Sequence, residues 1–503
     1  MKPNKTALTA LAAAFTLLGA CGGGSSSGGS GGSTPTGSDN TPQVPTTYSF
    51  DSQITEGESA VSYTGQNARQ ILIEDLVATI LDLTDNPLRS QAEVEAELEF
   101  YISGDVDNTN YKYALEGETV IPGPTYGDIS TGKNLADKIA GGNSTGGGEF
   151  GKLINDEFFG WAELGANDRP IHLVTRYIEN IAELATNGTA PTITVNGVPT
   201  QVDTVYVDEK GRDFRQLIQK FLLGAVNFSQ GTNDYLLTDF AGANTQDGSS
   251  PYTVAEHKWD EAFGYFGAAR DYNDYTDEEI SGAGGREAYS GSYHDTDGNG
   301  SIDLRSEINF ANSVNCAKRD RGSQSGTDFS KTTFDAFLAG RFILNQYAAS
   351  TTALSSEQQS ELDSHIATAA KTWEKCIAST VVHYINDVIA DMGEFSNGEF
   401  ASVENFTNLA KHWSEMKGFA LGLQFSPFSP FRDGSVSGIT VDSLKTLLAD
   451  MGDAPVLADG SQNGVAASGT AQAAIDDYIA KLEAARSTLK TAYGFADADV
   501  QNW

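Results

Sequence analysis

Apolar residues recur at three- and four-residue spacing along most of the chain after Gly65, between breaks made of Gly, Asn and Pro. Residues with this spacing share one face of an α-helix, so the pattern predicts a mainly α-helical protein, a large helical bundle. The predicted helices cover Gln66–Leu83, Gln91–Tyr101, Gly148–Leu164, Arg169–Thr186, Gly211–Phe228, Val254–Ala269, Phe329–Ala348, Ser356–Met392, Val403–Leu423, Val441–Met451 and Gly469–Tyr493.

One short stretch has the alternating pattern of a β-hairpin instead. β-branched residues alternate through Thr192–Val207, on both sides of Asn196-Gly197. An Asn-Gly pair favours the tight two-residue turn that joins antiparallel strands. The sequence therefore predicts one small hairpin within the helical fold.

The first residues have the pattern of an export signal. Two lysines precede an apolar stretch, Ala7–Leu18, which is followed by Gly19-Ala20-Cys21. This segment resembles the signal peptide and lipobox of bacterial lipoproteins, and it is too short to span a bilayer. The resemblance implies a signal peptide over residues 1–20, cleavage before Cys21 and attachment of a lipid to the Cys21 thiol.

The segment after Cys21 is rich in Gly, Ser and Thr, and we expect residues 21–46 to act as a flexible tether. A helical domain of unknown function is predicted over 47–503, either as one body or as two related bundles over about 47–290 and 310–503. Gly22 stands where the inner-membrane retention signal of Gram-negative lipoproteins has an aspartate. This favours the outer membrane, and it leaves open whether the domain faces the periplasm or the cell surface.

The net charge argues against two classes of partner. The 503 residues include 32 basic and 68 acidic side chains, which gives a formal net charge of −36. Binding to nucleic acid or to an anionic membrane surface requires clustered Lys and Arg, so this composition argues against both. Hydrophobic residues make up 39% of the chain, which is typical of a folded globular protein.

Two cysteines, Cys316 and Cys376, remain once Cys21 carries a lipid. An even number of thiols in an oxidising compartment favours a disulfide. Closing a loop of about 60 residues would contribute roughly 4 kcal/mol in the chain-entropy model. Two isolated buried thiols are the alternative.

An aspartate-rich loop over Asp295–Asp303 has the spacing of a calcium site. Oxygen-bearing side chains occupy its first, third, fifth and ninth positions, and Gly300 at the sixth allows a sharp turn. Alternate residues of such a loop direct their oxygens at one point, as a hard divalent cation requires. Ile302, at the eighth position, is expected to enter the core. The predicted calcium ligands are Asp295, Asp297, Asn299, Ser301 through its carbonyl oxygen, Asp303 and Glu307.

The loop resembles that of EF-hand and related calcium proteins, with one departure. The bidentate glutamate of those loops belongs at the twelfth position, which is Ser306 here, and Glu307 comes one residue later. A single loop outside the cytoplasm favours a static calcium ion that stabilises the fold over a calcium sensor. A solvated acidic turn without a metal is the alternative.

Two stretches, His257–Gly267 and His412–Phe419, share the order His, Trp, a polar residue, Glu, Gly and an aromatic residue, with one insertion. Residues three and four apart share a helix face, so each stretch places a histidine beside carboxylates. Facing helices that each bring such a pair could bind iron or zinc. The predicted ligands of this second metal are His257, Asp260, Glu261, His412, Glu415 and His383. Buried polar pairs that join helices beside tryptophans are the alternative.

Several motifs together resemble a family of bacterial lipoproteins of unknown function that is often met alongside imelysins, which are helical proteins linked to iron uptake. These motifs are Gly65–Arg69, Glu157–Trp161, Lys220–Ala225, His257–Gly267, the Asp295 loop, His383–Asn386 and His412–Glu415. The Gly-x-His-x-x-Glu signature of imelysins would fall on His257 with Asp260 or Glu261, although Ala255 replaces its glycine. The resemblance implies a metal-binding helical bundle.

Three functions follow as expectations. The first is an outer-membrane lipoprotein that binds iron, or an iron-bearing ligand, in support of uptake, with an outer-membrane transporter or an imelysin-type lipoprotein as its partner. The second is a calcium-stabilised helical scaffold that binds a partner protein. The third is a metal-dependent peptidase or hydrolase with Glu261 or Glu415 as general base. No His-Glu-x-x-His or Gly-x-Ser-x-Gly motif occurs, so the sequence favours a protein without catalysis and indicates no catalytic residue.

Overall fold

Helices make up most of the folded chain, which confirms the mainly α-helical architecture. The computed structural model describes residues 43–85, 89–142, 152–165, 167–187, 190–348 and 350–503. Its helices are α1 (Thr64–Asp82), α2 (Gln91–Ser103), α3 (Tyr126–Ile129), α4 (Pro170–Asn187), α5 (Phe214–Leu222), α6 (Ser229–Asn233), α7 (Val254–Phe266), α8 (Asp277–Ile280), α9 (Ala311–Gly322), α10 (Phe329–Tyr347), α11 (Ser356–Gly393), α12 (Val403–Gly422), α13 (Pro430–Asp433), α14 (Val441–Met451), α15 (Ala471–Tyr493) and α16 (Asp497–Asn502). The predicted signal peptide and Cys21 lie outside the described residues.

Strands are confined to two small pairs. The predicted hairpin is confirmed, because β2 (Thr192–Val195) and β3 (Val198–Gln201) pair antiparallel around Asn196-Gly197. Asn196 and Gly197 both have positive φ, at 51° and 75°, as the tight hairpin turn requires. The second pair was not predicted: β1 (Val120–Ile121) lies parallel to β4 (Ile302–Asp303).

The prediction of a helix over Gly148–Leu164 is wrong for the part of this segment that the structure describes. Residues 152–165 run as turns and extended segments instead. Asn155 and Asp156 have φ values of 51° and 61°, and Gly160 has a φ of 97°. A right-handed α-helix cannot pass through residues in this left-handed conformation, so the chain turns at each of these positions.

The centre of the protein is α11, which packs against α9, α10, α12 and α15. Helix α12 also packs against α5, so helices from both predicted bundles contact one another within the single compact unit Val44–Trp503. The internal duplication stays a prediction. Gly224 and Gly422 allow the close approach near the end of α12, because a Cβ atom on Gly224 would lie 2.7 Å from the Gly422 Cα.

A disulfide joins Cys316 on α9 to Cys376 on α11, as the sequence predicts, and the two residues are 60 positions apart in the chain. Both cysteines are fully buried. The bond therefore fixes α9 on the central helix. Among the described residues, no helix is long and apolar enough to cross a membrane.

A buried carboxyl group on α11 gives the fold a pH dependence. Burial raises the pKa of Glu374 from 4.5 to about 8, and the Tyr493 hydroxyl donates a hydrogen bond of 2.8 Å to its Oε1. The folded state therefore holds this proton more tightly than the unfolded chain does. The resulting contribution to stability is present in full below the unfolded pKa and is lost as the pH rises to about 8.

We accordingly expect Glu374→Gln to reduce the fall in stability between about pH 5 and pH 8. Urea denaturation at several pH values measures this, with Glu361→Gln as the control, because Glu361 lies exposed on the same helix. An unchanged pH profile in Glu374→Gln would show that the carboxyl does not titrate in this range.

Candidate functional site

Three carboxyl groups meet at the predicted calcium loop. One oxygen each from Asp295, Asp297 and Glu307 lies within 4.8 Å of the other two. Two glycines with positive φ, Gly298 at 70° and Gly300 at 82°, fold the loop tightly. Carboxylate oxygens grouped at this spacing are the ligands that calcium prefers in proteins.

Glu307 completes this group although it stands at the thirteenth position of the loop. Its Oε1 accepts a hydrogen bond from the Thr296 backbone N–H at 2.8 Å, and its Oε2 accepts one from the Asp303 N–H at 2.7 Å. The side chain is 4% exposed, and burial raises its pKa. A cation bound here would offset the cost of burying this carboxylate.

Two of the predicted ligands have other partners. The Asp303 carboxylate forms an ion pair with Arg305, with its Oδ2 2.9 Å from the guanidinium, and it is not in the three-carboxylate group. The Asn299 Oδ1 accepts from the Ser301 N–H at 2.9 Å, while its amide donates to Asp297. The structure therefore does not bring Asp303 into the three-carboxylate group, and its role as a calcium ligand stays a prediction.

Ile302, the residue after Ser301, attaches the calcium loop to the hydrophobic core. Ile302 is 3% exposed, which confirms its predicted place in the core. The Ile302 N–H donates to the Thr119 carbonyl, and the Leu304 N–H donates to the Ile121 carbonyl, both at 2.8 Å. The β1–β4 pair thus joins two segments about 180 residues apart beside the carboxylates. A cation bound here would stabilise this junction.

In the first histidine stretch, on α7, Asp260 belongs to a buried ion cluster. Asp260 is fully buried, and its Oδ1 accepts from the Tyr48 hydroxyl at 2.8 Å and from the Arg341 Nε at 2.7 Å. Arg341 also donates to the Glu256 carboxylate at 2.8 Å. The Asp260 Oδ2 accepts from the Ser62 N–H. Both oxygens of Asp260 are therefore engaged within the protein.

The other two predicted ligands on α7 point to different partners. The His257 Nδ1 lies 3.0 Å from an Asp247 oxygen, and Glu261 contacts Gln66 at 3.1 Å and Lys258 at 3.2 Å. The three residues of this stretch therefore do not present a common ligand set. Asp260 is fully buried and agrees with the alternative of buried polar pairs, whereas His257 and Glu261 form half-buried contacts.

The second stretch, on α12, repeats the same local arrangement. The His412 Nδ1 lies 2.8 Å from the Asp391 carboxylate, as His257 lies beside Asp247. Trp413 is fully buried and donates its indole N–H to the Met451 carbonyl, whereas the Trp259 indole donates to the Phe337 carbonyl. In both stretches a buried tryptophan thus fixes its helix through a hydrogen bond from its indole N–H to a distant backbone carbonyl.

The predicted iron or zinc ligands on α11 and α12 lie in one polar region. The Tyr384 ring lies 6.1 Å from the His412 ring, and the adjacent His383 contacts Asp387 at 3.3 Å. The Glu415 carboxylate lies 3.5 Å from the Lys220 Nζ. Among the described residues, however, only the loop carboxylates form a group of three potential metal ligands, so the six predicted ligands are not brought to one point.

A cleft of about 960 Å³ was not predicted from the sequence. Phe159 and Trp161 line it together with Leu448 on α14 and Tyr478 on α15. Gly160 at this wall has a φ of 97°, which favours glycine, and a Cβ there would also lie 2.7 Å from the Leu448 Cδ1. The only sequence signal for the cleft is the Glu157–Trp161 motif. The volume falls in the range of small-molecule sites.

Comparison with known proteins gives a partial assignment. Residues 45–281 match the model of a domain of unknown function, DUF4856. No curated protein and no solved structure gives a significant match. The expected resemblance to a family of unknown function is confirmed over this part of the chain. The link to imelysins receives no added support and stays a prediction.

Proposed function

We propose that this chain is a lipoprotein scaffold, anchored through Cys21, that a single calcium ion stabilises and that binds its partner without catalysis. The observation that carries this proposal is the grouping of the Asp295, Asp297 and Glu307 carboxylates within 4.8 Å. The end of the loop forms β4, which pairs with the distant strand β1, so bound calcium would hold distant parts of the chain together. The large cleft beside Trp161 offers the scaffold a concave binding surface.

Iron binding in support of uptake receives less support from the geometry. His257, Asp260 and Glu261 are engaged with other residues, and Lys220 lies against Glu415. An ammonium group in this position competes with a metal for the carboxylate. The outer-membrane location and a transporter as the partner of the scaffold are also proposed, and they rest on the sequence alone.

Calcium should raise the stability of the wild-type chain, and Asp295→Asn combined with Asp297→Asn should abolish this effect. At a free calcium concentration about 100 times Kd, the expected stabilisation is about 2.7 kcal/mol. Thermal unfolding with and without calcium measures the shift, and titration calorimetry gives the stoichiometry.

Asp303→Asn is the matched control, since this carboxylate lies in the same loop but pairs with Arg305. It should keep the calcium response of the wild type. A wild-type chain that shows no response would contradict the proposed calcium site, and loss of the response in Asp303→Asn would restore Asp303 as a ligand.

A further inference from the structure

The cleft beside Trp161 combines apolar side chains with open space. Phe159, Leu448 on α14 and Tyr478 on α15 line it. Ala473, also on α15, lines it together with other small residues, whose short side chains leave the volume of about 960 Å³ open. Ligand sites of this size are lined mainly by apolar and aromatic side chains, with a few polar groups that orient the ligand. The cleft therefore fits a small organic molecule with an apolar face.

One segment that lines the cleft exposes apolar side chains and is already held in shape. Val465 is 71% exposed, and Ala466 beside it is also exposed. The backbones of Gln462 and Val465 exchange two hydrogen bonds, at 2.9 and 3.0 Å, and the Gln462 amide donates to the Ala454 carbonyl at 2.9 Å. A ligand would cover these apolar residues without first having to order the segment, which favours affinity.

Four of the charged residues that line the cleft form two ion pairs with one another. The Lys445 Nζ lies 2.7 Å from the Glu157 carboxylate, and the Lys481 Nζ lies 2.8 Å from the Asp477 carboxylate. Among the described residues that line the cleft, Asp453 is the only other charged one. An anionic ligand would therefore find no unpaired cation among these residues.

Asp453 offers the cleft a hydrogen-bond acceptor. Its Oδ2 accepts from the Ala162 N–H at 2.7 Å. Its Oδ1 lies 3.7 Å from the Lys417 Nζ, beyond hydrogen-bond length, and that ammonium donates to the Leu448 carbonyl at 2.8 Å. Burial lowers the pKa of Lys417 to about 8, so this fully buried side chain is still charged at pH 7 and balances the Asp453 charge. Oδ1 can thus accept a hydrogen bond from a ligand that brings no charge of its own.

We propose that the cleft binds an uncharged organic molecule that packs an apolar face against Phe159 and Leu448 and donates a hydrogen bond to the Asp453 Oδ1. This inference rests on the proposed use of the cleft as the binding surface of the scaffold, and it names the chemistry of the ligand. A hydrogen bond to a carboxylate is stronger than one between neutral groups. Asp453 therefore selects ligands that carry an O–H or N–H donor.

Equilibrium dialysis of the chain carrying Cys21→Ser against three naphthalene derivatives at pH 7 tests the ligand chemistry. 2-Naphthol is uncharged and has a hydroxyl donor, 2-methoxynaphthalene lacks the donor, and 2-naphthoate is an anion. We expect one 2-naphthol to bind per chain, about tenfold more tightly than either of the other two compounds. The proposal is overturned if 2-naphthol does not bind, or if one of the other two binds as tightly as 2-naphthol does.

Two substitutions on α15 test whether 2-naphthol binds in the cleft. Ala473→Phe should fill part of the space and weaken binding by about tenfold or more. Ala480→Phe is the matched control, because Ala480 is exposed on the same helix and is not among the residues that line the cleft. It should leave binding unchanged. Both alanines are exposed, so neither change should shift the midpoint of thermal unfolding. Equal binding by the two variants would show that the site lies elsewhere.

The hydrogen bond to Asp453 is tested by Asp453→Ala combined with Lys417→Met, which removes both charges and leaves neither one buried without its partner. This variant should bind 2-naphthol and 2-methoxynaphthalene equally, because the acceptor is gone. A retained preference for 2-naphthol would contradict the role of Asp453. Calcium should stabilise these variants as it stabilises the wild type, since the calcium loop is unchanged. Loss of the cleft ligand with an intact calcium response would overturn this inference alone.

Discussion

Arg341→Met should lower the free energy of unfolding by about 3–5 kcal/mol, because it removes one partner of a buried ion cluster. The guanidinium is fully buried and donates to Asp260 at 2.7 Å, to Glu256 at 2.8 Å and to the Ala60 carbonyl at 2.9 Å. Methionine fills a similar space but leaves two carboxylates facing each other without a cation. Their remaining donors, including the Tyr48 hydroxyl, do not replace the lost charge.

Urea denaturation followed by circular dichroism measures this loss. Arg176→Met is a suitable control, because Arg176 forms an exposed ion pair with Glu179 at 3.4 Å, and such pairs contribute about 1 kcal/mol or less. If Arg341→Met were no more destabilising than the control, the α7 cluster would not be the structural junction described above. Histidine and carboxylates on this helix would then be available for another role.

Removal of the disulfide has the second large expected effect. Replacement of both Cys316 and Cys376 by alanine should lower the free energy of unfolding by about 4 kcal/mol, since the bond closes a loop over a sequence separation of 60 residues. Alanine leaves no unpaired polar group in the buried position. The loss arises mainly because the unfolded chain regains conformational freedom.

The same urea experiment with and without a reducing agent provides the control for the disulfide. Reduction should shift the unfolding midpoint of the wild type towards that of the double variant, and it should not shift the variant further. A wild-type midpoint that is insensitive to complete reduction would contradict the expected contribution. Free thiols must be counted in the unfolded protein to show that reduction was complete.

Local sequence patterns were sufficient to predict most of the helices and the hairpin. They did not predict the elements whose structure depends on contacts between distant parts of the chain. The spacing of apolar residues located α11 and α12, and Asn196-Gly197 located the hairpin. Helix α9 was missed because its polar sequence has few apolar positions, and the disulfide and packing against α11 hold it. The β1–β4 pair joins segments far apart in the chain, so neither segment alone predicts it.

The candidate site shows the same division. Loop spacing identified Asp295 and Asp297, because consecutive loop residues determine their positions. The loop spacing could not establish that the Glu307 carboxylate lies beside those of Asp295 and Asp297, or that Arg305 forms an ion pair with Asp303. Both contacts depend on how the chain folds after the loop. Helical spacing similarly placed histidines beside carboxylates without indicating which side chains face them from other helices.

The most direct test of the calcium-stabilised scaffold is the metal content of the purified chain with Cys21→Ser, measured by plasma mass spectrometry after dialysis against calcium. We predict about one calcium per chain, which is lost when Asp295 and Asp297 are replaced by asparagine and retained in His257→Ala combined with His412→Ala. Stoichiometric iron or zinc that is lost in the histidine variant, with no calcium in the wild type, would contradict it.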